Sequence, residues 1–376
     1  MKNNIAFLII LFISACSSIP KIEEIESIDT LIQKPEFNYK IRSLPQTIKI
    51  YFTKRDSELN LPPEIQGFLA NSYFYNSKIS YKPKISFSFL QNDKCNNEVI
   101  KEDLIIVFNF QTSPESVEKG MCIGNLPKSK TLYVSDAADD LGFNNTFIVS
   151  RDEEKNKLIE ELAKSSERLI LVDSKKTLDK EKIKLSLKDL KVEVVALETY
   201  SDDLSSQDMF AKLLMVDRSQ ERKRKLSRRI SETISGDSRA REDIDTVFFS
   251  VDLQEARNLK PALDYISEKV FNVYILNSWK TKNVYYLRDK DLLGSIHADF
   301  PIMMPIDVPD FITEENRSRK FAIGYDLFEI ILMRYGNVNY RNYIYKGLSG
   351  KINLRDSEVL RIPYLFKITD TGLEIL

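Results

Sequence analysis

The chain has 376 residues, 43% hydrophobic and 30% charged, with a formal net charge of −1. That length suffices for two packed lobes, and the near-neutral balance exerts no global pull toward nucleic acid or anionic lipid. One histidine and eleven glycines leave no basis for a Ser-His-Asp triad, a His-rich metal site or a Gly-rich phosphate loop, and neither HExxH nor CxxC occurs.

The chain begins with Met1 and Lys2, then the apolar stretch Ile5–Phe12, then Ile13-Ser14-Ala15-Cys16. A basic start, a short apolar core and small residues make a secretory signal over residues 1–15, too short for a spanning helix. Ile-Ser-Ala-Cys resembles a bacterial lipobox, which implies cleavage after Ala15 and acylation of Cys16. Two or more acyl chains, at about 0.8 kcal/mol per buried CH₂, hold a protein stably on a bilayer. Ser17 and Ser18, with no Asp beside the cysteine, resemble the pattern of lipoproteins sent to the outer membrane. Residues 16–45 then form a lipidated end and a flexible tether of mixed Glu, Lys, Ser and Pro. Cys95 and Cys122 remain, an even pair for an oxidising compartment. A bridge between them closes a loop of 28 residues, worth about 3–4 kcal/mol in the chain-entropy estimate; two separate thiols are the alternative.

From Thr47 strands and helices alternate. Thr47–Phe52 reads as a strand and Pro62–Tyr75 as a helix, followed by strands at Lys84–Leu90, Leu104–Phe110, Thr131–Val134 and Thr146–Val149. Ser150 and Glu153 have the spacing of a capping box for a helix reaching Lys164. Arg168–Val172 is then a strand, Lys180–Leu190 a helix, Val192–Leu197 a strand, and Gln207–Ile234 a long helical region with a break near Asp217. Ile244–Val251 is a nearly continuous apolar strand, the pattern of one covered on both faces. Asp252 and Glu255 cap a helix carrying Ala256, Leu259, Leu263 and Ile266, and Val270–Leu276 is the next strand. Ser318–Arg334 is an apolar helix; Lys351–Leu354 and Val359–Phe366 are antiparallel strands. This grammar predicts an α/β protein with parallel sheets flanked by helices.

Candidate chemistry is sparse. His297 reads as a plain loop or strand residue. Asp202-Asp203, Asp139-Asp140 and Glu153-Glu154 lie in polar surroundings, and none stands out as a hydrolase pair. The basic run Arg218–Arg229 reads either as a polyanion-binding patch or as a solvated helix face with Leu226 and Ile230 turned inward. It lacks stacking aromatics, which argues against nucleic acid. Asp326, inside an apolar helix beside Tyr325, needs partners if buried; it is a cleft residue or a hinge hydrogen-bonder. No catalytic residue, cofactor or metal site is predicted.

Several segments, in order, resemble the penicillin-binding protein activator lipoproteins of the LpoA/LppC kind. They are Leu213–Arg222, Arg239–Phe248, Glu255-Ala256-Arg257 with Lys260-Pro261, Val273-Tyr274, Asp291–Gly294, Asp299-Phe300-Pro301, Gly324-Tyr325-Asp326 and Gly347–Ile352. The resemblance implies a periplasmic-binding-protein type I-like fold, two lobes joined by three crossovers. The first lobe would hold residues 46–149 plus 316–340, the second 150–315 plus 341–376, with Tyr325 and Asp326 at the cleft between them. It further implies an outer-membrane lipoprotein that binds and activates a class A penicillin-binding protein without catalysis of its own. The alternative is a solute-binding receptor that closes its lobes on a small ligand. Two departures stand out: family members carry a long helical domain ahead of these lobes, and Ile302 stands where relatives have Trp.

Overall fold

The protein is described from a computed structural model, over residues 31–32, 39–52, 61–89, 101–110, 123, 126–136, 143–176, 180–201, 203, 205–235, 239–267, 269–279, 289–336, 344–355 and 358–376. The signal segment, most of the tether, Asp139-Asp140, Asp202 and all three cysteines (Cys16, Cys95 and Cys122) lie outside these residues.

Two mixed, mostly parallel sheets flanked by helices carry the fold. The first contains β1 (Thr47–Phe52), β2 (Lys84–Phe89), β3 (Leu104–Asn109), β4 (Thr131–Ser135), β5 (Asn145–Ile148), β11 (Ile344–Lys346), β12 (Lys351–Leu354) and β13 (Glu358–Ile362). Its order is β11-β12-β13-β5-β4-β3-β1-β2. The second contains β6 (Arg168–Ser174), β7 (Glu193–Tyr200), β8 (Thr246–Val251), β9 (Asn272–Asn277), β10 (Ile296–Asp299), β14 (Tyr364–Thr369) and β15 (Gly372–Ile375), in the order β15-β14-β10-β9-β8-β6-β7. The interior strands are the apolar ones. β8 (TVFFSV) is buried along its whole length, with helices on both faces, and β3 (LIIVFN) at all but its last residue. Edge strand β2 is exposed or half-buried throughout.

Seven helices lie among the described residues: α1 (Pro63–Ile79), α2 (Arg151–Ser165), α3 (Lys180–Asp189), α4 (Ser206–Leu213), α5 (Val216–Ile230), α6 (Leu253–Ile266) and α7 (Arg319–Gly336). None is long and apolar enough to cross a membrane. The predicted box at α6 is formed: the Glu255 N–H donates to Asp252 Oδ1 at 2.8 Å, and the Asp252 N–H to Glu255 Oε2 at 3.0 Å. The box predicted at Ser150 is only half formed: Glu153 accepts from the Ser150 N–H as well as from Arg361, but the Ser150 side chain caps nothing. The long helical region breaks at Leu214-Met215, where Met215 takes a left-handed conformation with φ 58°. α7 lies directly on α1: a Cβ at Gly324 would fall 1.7 Å from the Glu64 carbonyl oxygen, so only glycine allows this approach.

The chain passes between the sheets three times, after β5, after β10 and at Pro363. The last passage corrects two expectations. Val359–Phe366 is not one strand. Pro363 has no N–H to give a ladder, so β13 ends at Ile362 and β14 starts at Tyr364 in the other sheet. Accordingly residues 341–376 do not all join the second lobe: β13 pairs in parallel with β5, Val359 opposite Phe147, and draws β11 and β12 into the first sheet.

Candidate functional site at the three crossings

The crossings are held together by buried charge. Arg361, on β13, is 4% exposed. Its guanidinium donates to Glu153 at 2.6 Å and to Glu154, both in the first turn of α2, and its Nε donates to the Ser349 carbonyl at 2.7 Å. The same guanidinium lies 3.9 Å from the ring centroid of Phe300, just past β10. One side chain therefore touches all three passages. A second clamp is bidentate: Arg319, at the start of α7, donates to Asp299 Oδ1 and Oδ2 at 2.7 and 2.6 Å, with both residues buried. One guanidinium faces two carboxylates at Arg361, and burial pushes Glu153 up to about 7 and raises Glu154 as well. For Arg361, burial acts to lower its proton affinity and is overcome by Glu154 and Glu153.

Tyr325 and Asp326, expected at a cleft, are buried instead. Asp326 accepts from the Leu348 N–H at 2.9 Å and from the Ser349 N–H and Oγ at 2.6 Å each, and so fixes the turn that carries Ser349 beneath Arg361. Burial pushes its carboxyl up to about 7, against the lowering effect of these hydrogen bonds. Tyr325 lends its carbonyl to Asn71 of α1 at 2.8 Å, and its ring stacks on Phe311. Asp326 thus serves as a buried hydrogen-bond acceptor that holds the turn between β11 and β12 against α7. Three of the segments that carry the family resemblance, around Asp299, Asp326 and Ser349, meet here. Arg361 and Arg319 were missed, although Arg361 is a lone charge within the apolar run VLRIPYLF; Arg319 sits in a basic cluster with Arg317 and Lys320 that gave no such signal. A lone charge within an apolar run has to be paired when the run is buried.

The carboxyl ends of the strands, where open α/β sheets take ligands, differ between the sheets. In the second sheet they are polar and buried: Asp173 and Ser174, Ser250, Asn277 and Asp299. Ser174 Oγ donates to Glu255 at 2.9 Å, Lys176 pairs with Glu255 at 3.0 Å, and Arg151 donates to the carbonyls of Leu276 and Asn277 at 2.7 Å. In the first sheet those of β1, β2 and β3 are aromatic, while β4 ends on the buried Ser135. Phe52 and Phe89 pack at 4.9 Å, Phe108 stacks near Phe110, and Lys320 lies 5.0 Å over Phe110.

His297 belongs to the core. It lies in β10, fully buried and stacked on Phe366, and burial pushes it down to about 3, so the ring is neutral. Ser295 Oγ donates to the Leu292 carbonyl, so it accepts from His297 Nε2–H at 2.7 Å, leaving Nδ1 to accept from Asn277. The basic run forms α5, but Leu226 and Ile230 do not turn inward; they are 52% and 48% exposed. Its inner face is polar: Ser219 Oγ accepts from the Arg239 N–H, and Ser227 Oγ donates to the Glu232 carbonyl. Elsewhere a groove of about 630 Å³ runs between the start of α4 and α6, lined by Gln207, Arg257, Tyr265 and Asp291 among others. No group of acidic, His or Cys side chains among the described residues could hold a metal ion.

No family model and no curated protein sequence matches the chain. Solved structures do. Full-length LpoA from Haemophilus influenzae aligns over 88% of this chain with 10% identity and a TM-score of 0.56. The chain spans only 58% of that protein's length. The C-domain of the same LpoA, described as a regulator of PBP1A, is covered over 99% of its own length, with 11% identity and a TM-score of 0.55. A structure described as a branched-chain amino acid ABC transporter from Rhodospirillum rubrum aligns over 89% of this chain and all of its own, with 12% identity and a TM-score of 0.58. At such identities the likeness is one of fold. The chain has an LpoA-like, periplasmic-binding-protein type I-like fold of two α/β lobes joined by three crossings.

Proposed function

We propose that this protein is a non-catalytic lipoprotein scaffold that binds a class A penicillin-binding protein and raises its peptidoglycan-synthesising activity. The observation that carries the reading is the fold likeness to the LpoA C-domain, a PBP1A regulator that this chain covers almost end to end. The clamped crossings support it: a body whose three passages converge on Arg361 presents a fixed surface to a partner, and the lone histidine is locked neutral in the core. The lipobox-like start supports acylation at Cys16, attachment to the outer membrane by lipid and exposure to the periplasm. There an oxidising environment favours a Cys95–Cys122 bridge. The lobes of this reading are residues 46–149 with 316–340 and the first-sheet strands β11–β13, and residues 150–315 with the end of the chain from Tyr364.

Affinity capture of the lipidated chain from membranes tests it. Class A penicillin-binding proteins should be enriched over a control carrying only the lipobox; equal recovery from both would count against the reading. The polar, buried strand ends of the second sheet favour a second reading, a receptor for a small polar solute. That reading predicts ligand-dependent stabilisation, so a panel of amino acids, peptides and muropeptides that leaves the melting temperature unmoved would remove it.

A further inference from the structure

Helix α5 is largely exposed, with Ser219, Lys223 and Ser227 half-buried along one side. Of its fifteen residues only Val216 is buried. It carries seven cations, Arg218, Arg222, Lys223, Arg224, Lys225, Arg228 and Arg229, against two acids, Asp217 and Glu221, in a chain whose net charge is −1. Lys225 pairs with Glu221 at 2.6 Å. Arg222, Arg224, Arg228 and Arg229 make no ion pair among the described residues. Such a concentration of cations is more than the fold uses.

The apolar residues give the partner's chemistry. Leu226 and Ile230 are four apart, in the same column of the helix as Arg222, and both are about half exposed. The inner face is closed by Ser219 and Ser227 instead. Two branched aliphatic side chains thus stand exposed beside its arginines. An acidic protein surface would answer the cations, and would need an apolar patch placed to meet Leu226 and Ile230 as well. A bilayer answers both: anionic headgroups take the guanidinium and ammonium groups, and the aliphatic side chains enter the headgroup–acyl boundary while the basic side chains reach back to the phosphates.

From this combination we infer that α5 is a membrane-contact helix that lays its Leu226–Ile230 side on an anionic phospholipid surface. The inference does not rest on the synthase-binding reading or on acylation of Cys16. It gives the lobe a contact with the bilayer that is separate from any N-terminal anchor, and so fixes how that lobe faces the membrane.

The test is backbone hydrogen exchange over residues 222–230 of the full chain, a local readout that an anchor elsewhere does not move. Vesicles of phosphatidylglycerol and phosphatidylcholine in equal parts should slow exchange there about tenfold. The slowing should vanish with pure phosphatidylcholine and in the variant R222Q/R224Q/R228Q/R229Q, and should shrink in L226S/I230S. Because these side chains are exposed, both variants should melt with the wild-type protein. No slowing on the anionic vesicles, or equal slowing on neutral ones, would overturn the inference. Slowing by soluble polyphosphate as large as that by vesicles, and indifferent to L226S/I230S, would overturn it too, in favour of an acidic macromolecule.

Discussion

The crossings and helix α5 are built from the same side chains and use them in opposite ways. At the crossings Arg361, Arg319, Glu153, Glu154 and Asp299 are mostly withdrawn from water, and each is paired within 3 Å. On α5 the cations are almost all exposed, and few are paired. Buried charge is held to its partner by the cost of leaving it alone, so it acts on the stability and shape of the body. Exposed charge is screened and worth little to folding, so it remains available for association. The location of an arginine, rather than its presence in a basic stretch, decides which of these it does.

The largest effect should come from Arg361. R361M strands Glu153 and Glu154 in the interior and should cost about 3–5 kcal/mol in urea denaturation. Adding E153Q and E154Q to it should recover most of that loss; a loss under about 1 kcal/mol would show that the cluster is not the clamp described. Next, G324A forces a Cβ against the Glu64 carbonyl and should cost about 1–3 kcal/mol or more by prising α7 off α1.

The third effect depends on pH. Burial pushes Glu329 from near 4.5 up to about 8, and Asp326 and Glu153 up to about 7. In that window the folded protein keeps protons that the unfolded chain releases, so stability falls as pH rises, by up to about 1.4 kcal/mol per group and pH unit. The melting temperature should therefore be lower at pH 8 than at pH 5. E329Q, which mimics the protonated group that accepts from the Tyr75 and Tyr39 hydroxyls, should flatten the slope. A melting temperature that rises over this range would contradict the burial argument. The smallest effect belongs to α5: R222Q/R224Q/R228Q/R229Q should change folding stability by less than about 0.5 kcal/mol. A larger loss would mean that these arginines are structural after all and would erase the contrast.

Much of the fold is legible in the residues because it follows from periodicity. Continuous apolar runs such as TVFFSV identify interior strands, and Asp252 with Glu255 announces α6. What escapes is whatever depends on long-range partners. Ser150 and Glu153 have the spacing of a capping box, but Glu153 is shared with Arg361, some two hundred positions later in the chain, and the Ser150 side chain makes no cap. Pro363 was visible within VLRIPYLF as a residue that a strand interior rejects, yet apolar alternation on both sides masked the change of sheet. Leu226 and Ile230 have the spacing of an inward face, but no element among the described residues packs there to receive them. Of the charged members of the crossings only Arg361 is legible by itself, as a lone charge in an apolar run; Glu153 and Glu154 lie in a polar stretch and Arg319 in a basic one. Their meeting is not legible, because they come from four separated segments.

The role proposed for this clamped, two-lobed body is regulation of a peptidoglycan synthase. Its most direct test is the rate of glycan-strand polymerisation by a purified class A penicillin-binding protein, with and without the full chain at saturating concentration. The account predicts a faster rate with the wild-type chain, and one that R222Q/R224Q/R228Q/R229Q preserves in detergent, where no bilayer is present. An unchanged rate, together with no detectable complex, would contradict it.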